Sequence, residues 1–412
     1  MKRKAKLGKL GSSVRSNVRS NVGAIRAGFP LSIDFGVGSL KVLQLSGSDQ
    51  PSISAASQLT TPDDLLDKPA KRLLFQMEAL PKLISSGKFK TTRAVCMIPV
   101  GQMVCKHFQI QPIDGVSIED VAAGHLSTQI GCDPSALLVR CNLVEGAKTG
   151  GKREVIAYAA SREFVGRLMG TLKSAKLETV GIHNDFEAIA RAVQPQAFST
   201  GSDKIVDPRP VLVLDMGCST TNVLIMHGAR TVFARSIEHG AMHFDAAICH
   251  QLRCTMLEAR EIRQKLKTLV PERAVSAVSS SGLPGMPPPP EEESTASEAV
   301  QSSASVPRPV GPQVDLSEPL EILTDEVSMC LRYHRTLFPG TPIERVMFVG
   351  GLSSQVSICE HLARNLNMSA LSVDPLARLG RTGKVPTSGV DLSIAQPGWA
   401  SVVGGALIPT DL

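Results

Sequence analysis

Aromatic side chains are scarce in this chain, with one Trp, two Tyr and 12 Phe among 412 residues, and cysteine pairs and long apolar runs are missing too. Each shortage excludes something. Two Tyr and one Trp give few platforms for base stacking, so no nucleic-acid partner is expected. Spanning a bilayer takes about 18 consecutive apolar residues. No stretch approaches that length, so no integral membrane protein is expected. The nine cysteines are odd in number and lack CxxC spacing or clustered His partners, which points to reduced thiols in a cytosolic setting. Cys249 and Cys254 flank His250, but cysteines in a helical pattern serve more often as small apolar fillers than as zinc ligands.

Acidic residues are absent from Met1 to Gly28, which holds eight Lys or Arg; without those the formal charge of +6 becomes −2. The folded body is therefore near neutral. This tail reads as a disordered basic segment at 1–28, with anionic lipid contact or a transit peptide as alternatives of the same composition. A second segment, 271–315, has nine prolines, a PPPP run, an EEE run and no aromatic residue. It cannot bury enough apolar surface to offset the entropy of ordering and reads as a disordered insertion. Helical patterns from Thr255 to Leu269 and from Leu316 to Leu337 flank it, so it joins two helices of one subdomain.

The rest is α/β. Short β-branched runs (LSIDF, LKVLQL, AVCMIPV, CKHFQI, ALLVRCNLV, EVIAYAA) alternate with helical stretches at Leu65–Ser86, Ser117–Ile130 and Arg162–Ala175. The second half repeats the theme with VLVLDMG, TNVLIM, RTVFARSI and RVMFVGG, and a helix from Ser354 to Asn367. Both halves open on an Asp-bearing hairpin, which points to an internal duplication.

Those hairpins carry the chemistry. In the first, Asp34-Phe35-Gly36-Val37-Gly38-Ser39-Leu40-Lys41 joins two apolar strands. Gly36 and Gly38 allow close backbone approach, so successive N–H groups can converge on phosphate oxygens, with Ser39 and Lys41 adding a hydroxyl and a cation. Asp34 stands where it can hold magnesium through water. A plain hairpin turn explains this segment equally well. In the second half, Asp215-Met216-Gly217-Cys218-Ser219-Thr220-Thr221-Asn222 repeats the pattern, with Asp215 as a second water-mediated metal contact and Gly217, Ser219, Thr220 and Thr221 around the phosphates. Two facing hairpins are what a clamp on a nucleotide's phosphates requires. The third element, Val349-Gly350-Gly351-Leu352-Ser353-Ser354, is a strand running into a Gly pair, against which a base and ribose can lie, or an ordinary tight turn.

Together these motifs resemble the phosphate and adenosine motifs of the actin, DnaK-chaperone and sugar-kinase superfamily, and within it the PilM family of type IV pilus assembly proteins, similar to the division protein FtsA. The resemblance covers about Leu31 to Leu407 apart from the insertion. It includes the Gly240 segment, the helix around Glu258–Arg263 and the closing Gly398–Leu407. It implies an actin-like (ribonuclease H-like) duplicated α/β fold around a nucleotide cleft, with ATP and Mg2+ as cofactors and Arg263 among the nucleotide contacts. The implied organisation is a first subdomain at 29–103, an inserted partner-binding subdomain at 104–181, and a return and connecting helix at 182–209. The second subdomain follows at 210–270 and 316–390, and a closing helix at 391–412.

At Asp185 and Phe186 the family usually has Glu-Pro, a departure from its pattern. Asp185 is the candidate water-positioning residue, but its plainer reading is a surface carboxylate near a helix N-terminus. The resemblance further implies a cytoplasmic protein, peripheral at the inner-membrane face. Its implied partner is a PilN-like bitopic membrane protein, captured through a short cytoplasmic N-terminal peptide, with self-association possible. At most slow ATP hydrolysis is expected. A small-molecule kinase and a nucleotide-free scaffold are the competing readings.

Overall fold

A computed structural model describes residues 29–47, 50–147, 149–198, 209–266, 314–381 and 383–408. The basic tail and nearly all of the Pro-rich segment lie outside the described residues.

The chain opens with three antiparallel strands, β1 (Leu31–Phe35), β2 (Ser39–Ser46) and β3 (Ser52–Thr60). Helix α1 (Pro69–Ser86) starts with proline at its first turn, where no intrahelical N–H bond is lost. It buries Leu73, Leu80 and Leu83 on one face, at the 3–4 residue spacing of a helix that covers a sheet. Strand β4 (Arg93–Met97) then pairs parallel with β1. A small module follows: β5 (Met103–Ile110), α2 (Ile118–Ile130), β6 (Leu137–Leu143) and β7 (Arg153–Ser161) form a three-stranded antiparallel sheet, order β5-β7-β6, covered by α2. Ser117 caps α2 and Gly131 ends it at φ 78°. Helix α3 (Arg162–Ser174), strand β8 (Glu178–His183) and helix α4 (Asp185–Phe198) return to the first sheet, β8 pairing parallel with β4.

The second half repeats the opening. Strands β9 (Val211–Met216), β10 (Thr221–His227) and β11 (Arg230–Ile237) are antiparallel, and α5 (Ala241–Leu252) and α6 (Met256–Lys265) follow. Thr255 and Glu258 close a reciprocal capping box at the start of α6. Beyond the undescribed segment, α7 (Ser317–Leu337) and α6 both pack against α5. Strand β12 (Arg345–Val349) runs parallel to β9, α8 (Val356–Asn365) follows, and β13 (Ser369–Ser372) completes a sheet of order β11-β10-β9-β12-β13. Short strands β14 (Gly380–Arg381) and β15 (Thr387–Ser388) pair with β3, and α9 (Ala400–Ala406) closes the chain. Two sheets of matching start thus face each other, which is the duplicated, clefted actin-like architecture.

Several placements differ from the sequence reading. Helix α3, read with the inserted module, packs Phe164, Leu168 and Leu172 with Leu31, Leu73 and Leu80 of the first half; the module's own core is Ala122, Leu126, Val139, Ala157 and Ala159. Segment 380–388, read with the second half, extends the first sheet. Strands β8 and β13–β15 were missed, and so was β3. Its SISAASQLT sequence is small and polar, and it is a strand because β2 pairs with it along its whole length.

Helix α9 is buried on nearly every side, as its apolar sequence ASVVGGA requires. It lies wedged between α4 and the β1–β4 strands, and two glycines make the wedge possible. A Cβ on Gly404 would sit 1.7 Å from the Ala188 carbonyl oxygen, and one on Gly405 would sit 2.3 Å from Met97 Cε and 2.5 Å from Ser32 Oγ. Among the described residues no helix is long and apolar enough to cross a membrane.

Candidate functional site

Between the two halves lies a cavity of about 460 Å³, within the size range of small-molecule sites. Both hairpin loops line it. In the first, Asp34 ends β1 and Lys41 is its cross-strand partner on β2, so the ammonium meets Asp34 Oδ2 at 3.0 Å. In the second, Asp215 ends β9 and its cross-strand partner on β10 is Asn222, whose amide donates to Asp215 Oδ2 at 3.2 Å. Each pair is seven residues apart, because the same turn separates the same strands. The loop tips meet, since a Cβ on Gly38 would lie 3.8 Å from the Cys218 Cβ. Gln76 of α1, fully buried, braces the first loop by donating to the Gly36 carbonyl at 2.8 Å and to Thr61 at 3.1 Å. Across the turn of the second loop, the Gly217 amide donates to the Thr220 carbonyl at 2.8 Å.

The Gly350–Gly351 turn forms one wall. Gly350 has φ 87°, and a Cβ there would stand 2.4–2.6 Å from the backbone of Met216, so this residue is fixed both by conformation and by space. Gly351 has open space around its Cα and lines the cavity. Segment 394–399, together with Ser401 at the start of α9, forms another wall. Helix α6 contributes Arg260, Arg263 and Gln264.

Asp185, at the first position of α4, corrects the sequence reading. It is buried, not a surface carboxylate, and it lines the cavity with Asp34 and Asp215. The Ser401 hydroxyl donates to its Oδ1 at 2.5 Å. Burial, then the negative charge of Asp34, push its carboxyl well above the usual range; Asp215 adds to the rise, and the Ser401 bond and Lys41 oppose it. For Asp215, burial and the charge of Asp34 raise the carboxyl to about 6 against the opposing Asn222 bond and Lys41. Asp34, Asp185, Asp215 and Asp245 thus share this cavity with Lys41, Arg260 and Arg263. A divalent cation in the cavity would favour the ionised form of the carboxyls that burial and mutual repulsion hold up. Among the described residues no group of three or more Asp, Glu, His or Cys side chains is placed to hold a metal ion directly.

Of the residues singled out in the sequence, Asp34, Gly36, Gly38, Ser39, Lys41, Asp185, Asp215, Gly217, Thr220, Arg263, Gly350 and Gly351 are brought together on this cavity. Ser219, Thr221 and Ser353 are not among its lining residues. Thr221 is fully buried and donates to the His239 carbonyl at 2.7 Å, and buried Ser353 donates to the Gly350 carbonyl at 2.7 Å. Both hydroxyls shape the loops from behind. Arg263 lines the cavity, but its guanidinium is tied by two bonds, at 2.6 and 3.4 Å, to buried Asp245 of α5. Asn222 and Ser401 were missed. Asn222 had a legible signal, since it stands seven residues after Asp215 as Lys41 does after Asp34; Ser401 had none, because only the fold brings α9 to α4.

No protein-family model and no curated protein matches the sequence. Solved structures do match. The PilM–PilN type IV pilus biogenesis complex aligns with a TM-score of 0.65 at 17% identity, over 92% of this chain and 97% of that one. The ethanolamine utilization protein EutJ from Carboxydothermus hydrogenoformans gives 0.44 at 12% identity, over 92% and 89%. MreB5 of Spiroplasma citri bound to AMPPNP gives 0.44 at 13%, over 92% and 96%. The fold of this chain is that of PilM.

Proposed function

We propose that this chain binds ATP with magnesium in the cleft between its halves and acts as a slow switch, or a non-hydrolysing one, in assembly of a type IV pilus or a related secretion system. The observation that carries the reading is the matched pair of hairpins: Asp34 with Lys41 and Asp215 with Asn222, at equal spacing, on two sides of one cavity. Asp34 and Asp215 would hold magnesium through water, Lys41 and the loop backbones the phosphates, and the Gly350–Gly351 wall the nucleoside. ATP supplies binding energy that differs between open and closed clefts, which is what a switch needs. The cation would offset the carboxylates of the cavity, beside Lys41, Arg260 and Arg263.

Isothermal titration tests this. With magnesium present, ATP and ADP are expected to bind with one site per chain, and chelating the metal is expected to abolish binding. Turnover is expected below the ~1 s⁻¹ low end of ordinary enzymes. No heat with either nucleotide would leave only a nucleotide-free scaffold, and vigorous turnover would end the slow-switch reading.

For the partner, we propose a short extended peptide from a PilN-like bitopic membrane protein, which would place the chain at the cytoplasmic face of the inner membrane. Support comes from a second groove of about 440 Å³, lined by Leu138–Asn142 of β6 and Gly181–Asn184 around the end of β8. Among the described residues each of these strands ends its sheet, with an edge open to strand addition. Ile98, Met103, Tyr158 and Ile182 give the groove apolar walls. The half-buried Leu138 lines it, so Leu138→Glu is expected to weaken a bound peptide about tenfold or more, with nucleotide binding retained. Fluorescence anisotropy with the partner's cytoplasmic peptide reads this out.

A further inference from the structure

One ion pair stands at the rim of the nucleotide cavity. Arg260, on α6 of the second half, donates through Nη1 to Asp63 Oδ1 at 2.5 Å, and Asp63 lies in the single turn Asp63–Leu65 that follows β3 in the first half. Both Arg260 and Leu66, next to that turn, line the cavity. Arg260 has a second carboxylate in reach, since its Nε lies 3.7 Å from Asp245 Oδ2, the group that also holds Arg263. Asp63 and Arg260 are 42% and 23% exposed, whereas Asp245 and Arg263 are 1% and 6% exposed. The inner pair is therefore fixed within the second half, and the outer pair is a wet contact between halves. On the far side, the module meets the second half through contacts away from the cavity, including Tyr333 with Glu154 at 2.5 Å and the Ala234 amide with His107 at 3.0 Å.

We propose that Arg260 and Asp63 form a latch that must part before a nucleotide can leave, which makes Arg260 a positioning residue that sets the exchange rate. The inference rests on the nucleotide reading above. A half-exposed pair is weak enough to open on each cycle and is screened by salt. When it parts, Asp245 keeps the Arg260 guanidinium next to the cavity instead of releasing it to solvent. Turn 63–65 is itself held by its neighbours, since Arg72 of α1 donates to the Leu66 carbonyl at 2.7 Å. The latch therefore opens by rotation of its side chains or by movement of one half against the other, not by melting of the turn.

Stopped-flow release of a fluorescent ATP analogue from the full chain, with magnesium, tests the latch. Asp63→Asn and Arg260→Gln are each expected to speed release about three- to tenfold, the range open to a partly exposed ion pair, with association changed less. The double variant should release no faster than the faster single, and Asp63→Glu should restore most of the wild-type rate. Raising salt should speed release from wild type and leave Asp63→Asn nearly unmoved. If the analogue binds but Asp63→Asn releases it at the wild-type rate, or the two substitutions multiply independently, the latch is wrong and the nucleotide reading stands. If wild type binds no analogue, both fall. Thermal midpoints within about 2 °C of wild type are expected for these variants of a partly exposed pair.

Discussion

Gly404→Ala is expected to lower the thermal unfolding midpoint by about 3–6 °C. One added methyl group would lie 1.7 Å from the Ala188 carbonyl oxygen, where real carbon contacts exceed 3 Å. The obstacle is backbone of α4, which cannot rotate aside as a side-chain tip could. Relief requires α9 to move off α4, and Gly405 blocks retreat on the other face, where Met97 and Ser32 stand within 2.5 Å of its own Cβ position. Overpacking of this kind costs about 3 kcal/mol, and in a chain of 412 residues each kcal/mol moves the midpoint by about 1–2 °C. A functional loss accompanies it. Displacing α9 draws Ser401 from Asp185, so nucleotide affinity falls as well. Gly124, in the middle of α2, is the control: nothing lies within 4 Å of its Cβ position, so Gly124→Ala should leave stability unchanged or raise it by about 0.5–1 kcal/mol. Differential scanning calorimetry of the two variants distinguishes a packing constraint from a general intolerance of Gly replacement.

Asp215→Asn is expected to cut magnesium–nucleotide affinity about 100-fold, equivalent to about 2.7 kcal/mol, while raising the stability of the ligand-free chain. The two effects have opposite sign for one reason. Burial and Asp34 hold the Asp215 carboxyl at about 6, above the ordinary aspartate range, so the fold favours the protonated form. Its contribution to stability is then present below the unfolded value and lost as pH rises through about 6, a loss of order 2–3 kcal/mol above neutrality. Asparagine, neutral at every pH, avoids that loss. Binding runs the other way, because the cation needs the carboxylate. Wild-type affinity should rise about tenfold per pH unit below 6 and flatten above about 7, and the variant should show no such limb. Titration calorimetry from pH 5 to 8, with thermal midpoints of both proteins in the absence of nucleotide, measures the two slopes. A variant less stable than wild type at pH 8 would show that Asp215 supports the fold instead of straining it.

The sequence by itself determined the loops. An Asp at the end of an apolar strand, a Gly-bearing turn and a returning strand are local features, and their recurrence in each half is a property of the chain that needs no coordinates. The α/β class and most element positions were legible for the same reason, since strand and helix periods are written within a few residues. Where local pattern was weak, as in β3, the element exists only because a neighbour pairs with it. Tertiary structure alone decided how distant parts converge. Asp185 looked like a solvent-facing carboxylate because nothing within α4 buries it; the cover comes from α9, more than 200 residues later, through Ser401. Arg162–Ser174 looked like part of the inserted module because it follows it in sequence, but its apolar face fits α1. Thr221 and Ser353 shared the composition of phosphate ligands, and only the fold shows their hydroxyls turned to the His239 and Gly350 carbonyls. Composition and spacing thus specify which groups a segment offers, whereas burial, charge and the direction each group faces depend on what the rest of the chain packs around it.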